Sequence, residues 1–126
     1  MNPTMPERVR NYLVDGGLLV DCVVQMLRWV DTAKKTDTFV VFRSNGGSNI
    51  RNDLGAEYYI LVDVVGAIND DRKTDQLVNS IIDFVQQNPL SNCLGYIENM
   101  GGTPAPIDTT EGRLVYRLLF RVVFGE

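Results

Sequence analysis

From Arg113 to Phe124 the chain reads RLVYRLLFRVVF, and period-two alternation sorts it onto two sides. Leu114, Tyr116, Leu118, Phe120, Val122 and Phe124 share one side, and Arg113, Val115, Arg117, Leu119, Arg121 and Val123 share the other. Every charged residue of the segment falls on the second side. A helix would also align three of these arginines at i, i+4 and i+8, but the β-branched and aromatic content predicts a strand. In a strand, successive arginines stand about 13 Å apart. Ala56 to Gly66, AEYYILVDVVG, alternates in the same way, with Tyr58, Ile60, Val62 and Val64 against Glu57, Tyr59, Leu61, Asp63 and Val65. The charged side of the last strand then has Glu57 and Asp63 as possible cross-strand partners.

Two helices are predicted. Thr4-Met5-Pro6-Glu7 fits a capping box, Val9, Tyr12 and Leu13 recur at helical spacing, and Gly16-Gly17 supplies a left-handed end, giving a helix over about 5–15. Thr74 or Asp75 is the expected cap of a second helix, whose stripe of Leu77, Val78, Ile81, Ile82, Phe84 and Val85 is wide enough to cover a sheet. Asn88-Pro89 ends it. Leu18 to Val30 satisfies both a helical stripe and a strand, and the strand reading places Val20, Cys22, Val24 and Met26 on one side. The polar loop Asp31 to Asp37 then leads into Phe39 to Phe42 as a hairpin requires. A short strand is expected over Leu94 to Asn99. Two long Gly-rich connections remain: Arg43 to Gly55, and MGGTPAPIDTTEG before the last strand.

These elements assemble as an α+β domain spanning residues 1–126: a mainly antiparallel sheet with two helices packed on one face. Composition limits what such a domain does. No histidine occurs among the 126 residues, which removes the commonest general base and metal ligand and rules out Ser-His and Cys-His pairs. A carboxylate site drawn from Asp63, Asp70, Asp71 and Asp75 is a remaining catalytic option, against the plainer reading of these acids as loop and helix-start residues. Net charge is -4, so no basic field draws nucleic acid. No apolar run approaches the ~18 residues of a membrane span, and a soluble cytoplasmic protein is expected. Cys22 and Cys93 sit among Val and Leu and read as small buried hydrophobes. Trp29 reads as a core or interface anchor. RSNGGSNIRNDLG, residues 43–55, lacks the Gly-Lys-Ser/Thr of a phosphate loop and the G-x-G-x-x-G entry to a βαβ crossover. No catalytic, cofactor-binding or metal-binding residue is assigned, and no cofactor is expected.

What the pattern does point to is a partner. Two helices cover one side of the sheet, and the other side carries arginines interleaved with Val115, Leu119 and Val123, apolar groups that a lone subunit gains nothing by exposing. Arg43, Arg51, Arg113, Arg117 and Arg121, with Val115, Leu119 and Val123, form the expected oligomer interface, in which Arg43, Arg51, Arg117 and Arg121 pair with acids such as Asp70, Asp71 or Asp108 of neighbours.

In the order of its elements, and in the stretches FVVFRSNGGSNIRNDLGAEYYILVDVVGA and GRLVYRLLFRVVFGE, the chain resembles the small tail-terminator proteins of long-tailed phages, the lambda gpU-like fold, and its prophage-encoded members. The resemblance implies a non-enzymatic structural protein that forms a homo-oligomeric ring, a hexamer, capping the tail tube and contacting the tube protein and a head-completion protein. It implies residence in the host cytoplasm during assembly and then in the virion tail, with no membrane and no sequence-specific nucleic-acid partner. The rival reading is a small α+β regulatory module that binds a small molecule at a dimer interface.

Overall fold

The computed structural model describes residues 3–47, 56–92 and 94–124. Its first helix, α1 (Met5–Asp15), starts as the capping box predicts: the Glu7 amide donates to Thr4 Oγ1 at 3.4 Å and the Thr4 amide to Glu7 Oε1 at 2.9 Å. At the far end Gly17, not Gly16, takes the left-handed conformation, with φ of 76°. Seven strands follow in one sheet of the described chain: β1 (Cys22–Met26), β2 (Thr38–Gly47), β3 (Ala56–Val65), β4 (Leu90–Ser91), β5 (Gly95–Met100), β6 (Ile107–Asp108) and β7 (Leu114–Phe124). The second helix, α2 (Asp71–Gln87), lies between β3 and β4 in the chain. Across the sheet the order is β1-β2-β3-β7-β5-β4, with β6 pairing β7 beyond the end of β5.

Both helices pack on one face. Val9, Tyr12 and Leu13 of α1 and Val78, Ile81, Ile82 and Val85 of α2 meet Val40, Phe42, Ile60, Val62, Val64, Tyr116, Leu118, Phe120 and Val122 in the main core. The strand residues in that group are those that period-two alternation assigns to the apolar side. Tyr12 fixes the helices to each other, its ring 5.0 Å from Phe84 and its hydroxyl donating to the Asn88 carbonyl at 2.5 Å.

The structure corrects three boundaries. No hairpin joins β1 to β2: they run parallel, Cys22 opposite Thr38 through Met26 opposite Phe42. Parallel neighbours need a crossover, and residues 27–37 make one over the helix-free face, where Trp29 packs edge-on against Phe39 at 5.6 Å. Only Cys22–Met26 of the ambiguous Leu18 to Val30 segment is strand, and Val20 is exposed ahead of it. Second, α2 begins at Asp71, several residues before the expected cap at Thr74 or Asp75. Thr74 is instead buried in its first turns, its hydroxyl donating to the Asp70 carbonyl at 3.0 Å and its side chain filling the space above Gly66. A Cβ on Gly66 would stand 2.1 Å from Thr74 Oγ1, so the glycine is what lets helix and sheet meet there. Third, β2 continues past Phe42 into the Gly-rich stretch as far as Gly47, through a bulge between Ser44 and Gly47. Gly47 passes so close to the Glu57 carbonyl that a Cβ would lie 2.2 Å from it.

Candidate assembly surface

Opposed residues in paired strands share a face. The face that the helices leave is therefore read row by row across β5, β7 and β3: Tyr96 beside Val123 and Glu57, Glu98 beside Arg121 and Tyr59, Met100 beside Leu119 and Leu61, then Arg117 beside Asp63, and Ile107 beside Val115 and Val65. Of these rows, those of Met100, Leu119 and Leu61 and of Ile107, Val115 and Val65 are wholly apolar, and the others carry charge. At the last of these rows Phe39, Val41 and Val65 make a small second core with Val23 and Val115, covered by the crossover. Farther along nothing in the described chain lies over the sheet: Leu119, Leu61 and Tyr59 are half-buried, and Met100, Tyr96 and Val123 are exposed.

The arginines of this face are paired within their own subunit. Arg117 Nε donates to Asp63 Oδ1 at 3.0 Å, and Arg43 Nη2 lies 2.9 Å from Asp63 Oδ2. Asp63 is buried, so two guanidinium groups hold its two oxygens at the bottom of the row. Arg121 bridges Glu57 and Glu98, the latter at 3.0 Å. Hydrogen bonds from Arg121 to Glu57 and then to Glu98 push its guanidinium still higher than its ordinary range, so it stays charged at any ordinary pH. Glu98 also accepts from the Tyr96 hydroxyl at 3.1 Å, which with the neighbouring charge raises that phenol. Three carboxylates face three guanidiniums, and these ion-pair rows carry no net charge.

Among the expected interface residues, Arg43, Arg117, Arg121, Val115, Leu119 and Val123 are thus brought onto one face, while Arg51 lies outside the described residues. Arg113 is not on the surface. It is 1% exposed, and its guanidinium donates to Glu111 Oε1 at 2.9 Å and to the carbonyls of Asp37 at 2.8 Å, Gly66 at 3.1 Å and Lys34 at 2.9 Å. It also stacks over Phe39 at 5.2 Å. Its position just before β7 turns it inward, under the crossover that it ties down. Glu57 and Asp63 of β3 are the cross-strand partners that the sequence offers, and both hold arginines. Glu98 of β5 adds to them, and the alternation of Tyr96 and Glu98 in its short strand is the signal that finds it.

The acids weighed as a metal site do not converge. Asp63 lies on the helix-free face between two arginines, whereas Asp70, Asp71 and Asp75 are at the start of α2 on the other side. Asp75 accepts the Tyr116 hydroxyl at 2.9 Å. No group of three metal-ligating side chains occurs among the described residues. Cys22 packs against the main core, and burial, with Asp21 adding to it, raises its thiol, as a packing role requires. Cys93 lies outside the described residues.

Comparison with known proteins decides the family. A family model described as phage tail termination protein matches residues 2–126. The chain belongs to that family. A solved structure with 15% sequence identity aligns over 95% of this chain and 96% of its own at a TM-score of 0.51, a likeness of fold alone. No curated protein matches the chain. Family membership gives the molecule a place among tail-associated proteins.

Proposed function

We propose that this protein ends the phage tail by closing into a homo-oligomeric ring, a hexamer, that caps the tail tube and joins it to a head-completion protein. It works in the host cytoplasm during assembly and stays in the virion tail. The observation that carries this reading is the helix-free face: an apolar row of Leu61, Leu119 and Met100, with Tyr96 and Val123 beside Glu57, over which nothing in the described chain lies, next to ions that are already neutralised. Such a face loses little by desolvating its ions against a partner and gains from burying its apolar rows. Closure adds cooperativity, since the last subunit contact is intramolecular.

The test is to add the protein to purified tail tubes that are free to elongate, and to image them by electron microscopy. Tube growth stops and a ring sits at one end when the reading holds. Leu119→Asp, placed in the middle of an apolar row, abolishes end-binding while the variant keeps its circular dichroism spectrum. Tubes that elongate unchanged, with bare ends, overturn it.

A further inference from the structure

Large apolar side chains that remain exposed are not scattered over the described chain. Apart from Val14 on α1 and the helix-free-face residues Tyr96, Met100 and Val123, they form two groups: Val20, Leu27, Trp29 and Val30 around β1, and Leu90 of β4 with Ile107 of β6. The central strands β2 and β3 contribute none, and β7 contributes Val123 alone. In the sheet order β1 is the last strand on one side, and β4 with β5 and β6 closes the other, so the two groups lie at opposite edges. With five gaps of ~4.8 Å between neighbouring strands, they are roughly 24 Å apart.

Natural sheets protect such edges with lysine, proline or inward-pointing charge, because an open strand edge recruits further strands. β1, CVVQM, has none of these, and every one of its residues is only half-buried, as a strand lacking one neighbour must be. Leu90 is 75% exposed and Val20 is 80% exposed, beside backbone edges that no strand of the described chain pairs. A patch that recognised its own copy through a two-fold axis would need one edge. Two chemically similar, spatially opposed edges on one chain fit a head-to-tail contact, which repeats until it closes.

We infer that neighbouring subunits join edge to edge, the β1 edge of one copy docking on the β4–β5–β6 edge of the next, which leaves the helix-free face clear for the tube. This inference rests on the ring reading and assigns its subunit contact. The β1 strand is uncharged, Glu98 on the opposite edge is already held by Arg121, and Asp108 of β6 is the one residue of these strands that brings an exposed charge into the contact.

The experiment uses two variants, Val20→Lys/Leu27→Lys at the first edge and Leu90→Lys/Ile107→Lys at the second, with folding checked by thermal melting. All four positions are exposed, so both variants fold. Native mass spectrometry, with and without tail tubes, reads the assembly. Wild type closes into rings; each variant alone stays monomeric, because every homotypic contact contains one damaged edge. An equal mixture yields heterodimers and nothing larger, since one intact edge of each kind remains and they meet once. Variants that both close like wild type overturn the edge contact and leave the ring reading standing. A Leu90→Lys/Ile107→Lys variant that dimerises alone, or a mixture that stays monomeric, also overturns it. Wild type that never closes, even on tubes, removes the ring reading and this inference together.

Discussion

Replacing Arg113 by methionine keeps most of the stem volume and deletes the guanidinium, and the expected loss follows from what that group holds. Four hydrogen bonds disappear: one to Glu111 and three to the carbonyls of Lys34, Asp37 and Gly66. Hydrogen bonds to charged groups contribute about 1.5–3 kcal/mol each, which sets an upper bound near 6–12 kcal/mol. Two effects reduce it. Lys34 is exposed and Asp37 half-buried, so water replaces the donor there, while only the Gly66 carbonyl is left orphaned in the interior. Removing a buried cation also recovers part of its desolvation cost. The balance is a destabilisation of about 3–4 kcal/mol.

With an unfolding entropy of about 2.1 cal/mol/K per residue over 126 residues, or about 0.26 kcal/mol/K, Tm falls by about 11–15 °C. The loss starts at the crossover, where Arg113 binds residues 34 and 37 from beneath. Trp29, the single tryptophan, sits on that crossover against Phe39, so its emission shifts to the red below the global transition. Circular dichroism melting and Trp fluorescence on the same sample measure both. A Tm within about 3 °C of wild type, with unchanged emission, refutes the assignment of Arg113 as the tie between crossover and sheet.

Thr4→Ala removes the α1 cap and lowers stability by about 1 kcal/mol, read from the urea midpoint at constant m. Asp63→Ala leaves Arg43 and Arg117 facing each other without their shared carboxylate; because both reach solvent, the cost is about 1–2 kcal/mol rather than the larger loss of a fully buried charge, and urea unfolding checks it. Tyr116 has its phenol pushed up to about 12 from 10, by burial first and then by the bond to Asp75. The unfolded chain therefore loses this proton at lower pH than the native one, so the stability it contributes is complete below pH 10 and is lost between about 10 and 12. Tyr116→Phe flattens that window in Tm measured against pH, and an unchanged slope removes Tyr116 as its source.

The parts of the fold that are legible in the sequence are those whose period matches one element and one environment. Residues 114–124 alternate because one face of the sheet is core and the other is not, residues 56–65 follow the same period more weakly because Asp63 and Val65 are buried on the second face as well, and Thr4 with Glu7 states its helix start locally. β1 is legible only as one of two readings, strand or helix, and its direction not at all. Antiparallel and parallel neighbours have the same side-chain period, and what decides between them is the path of residues 27–37 over Phe39, a tertiary contact with no local signature. The start of α2 escapes a local reading for a related reason. Thr74 is a good cap in isolation, yet its methyl and hydroxyl are buried above Gly66, and the chain extends the helix by another turn to place them there.

Arg113 shows where a period-two reading stops being sufficient. It continues the series of Arg117 and Arg121 at the same spacing, but it precedes the first residue of β7, where no ladder fixes its direction, and the carbonyls at the crossover and at Gly66 offer it acceptors that no carboxylate on the open face can match in number. The other arginines stay outward because Asp63, Glu57 and Glu98 are brought within reach by strand pairing. That pairing also changes what the surface asks of a partner. Arginines with free valence select an acidic neighbour; arginines satisfied within the subunit do not, and an incoming carboxylate would have to displace one already in place. In the proposed assembly, recognition falls to the apolar positions and to the fit of the sheet, and the ion pairs keep a broad, half-apolar face hydrated before it is covered.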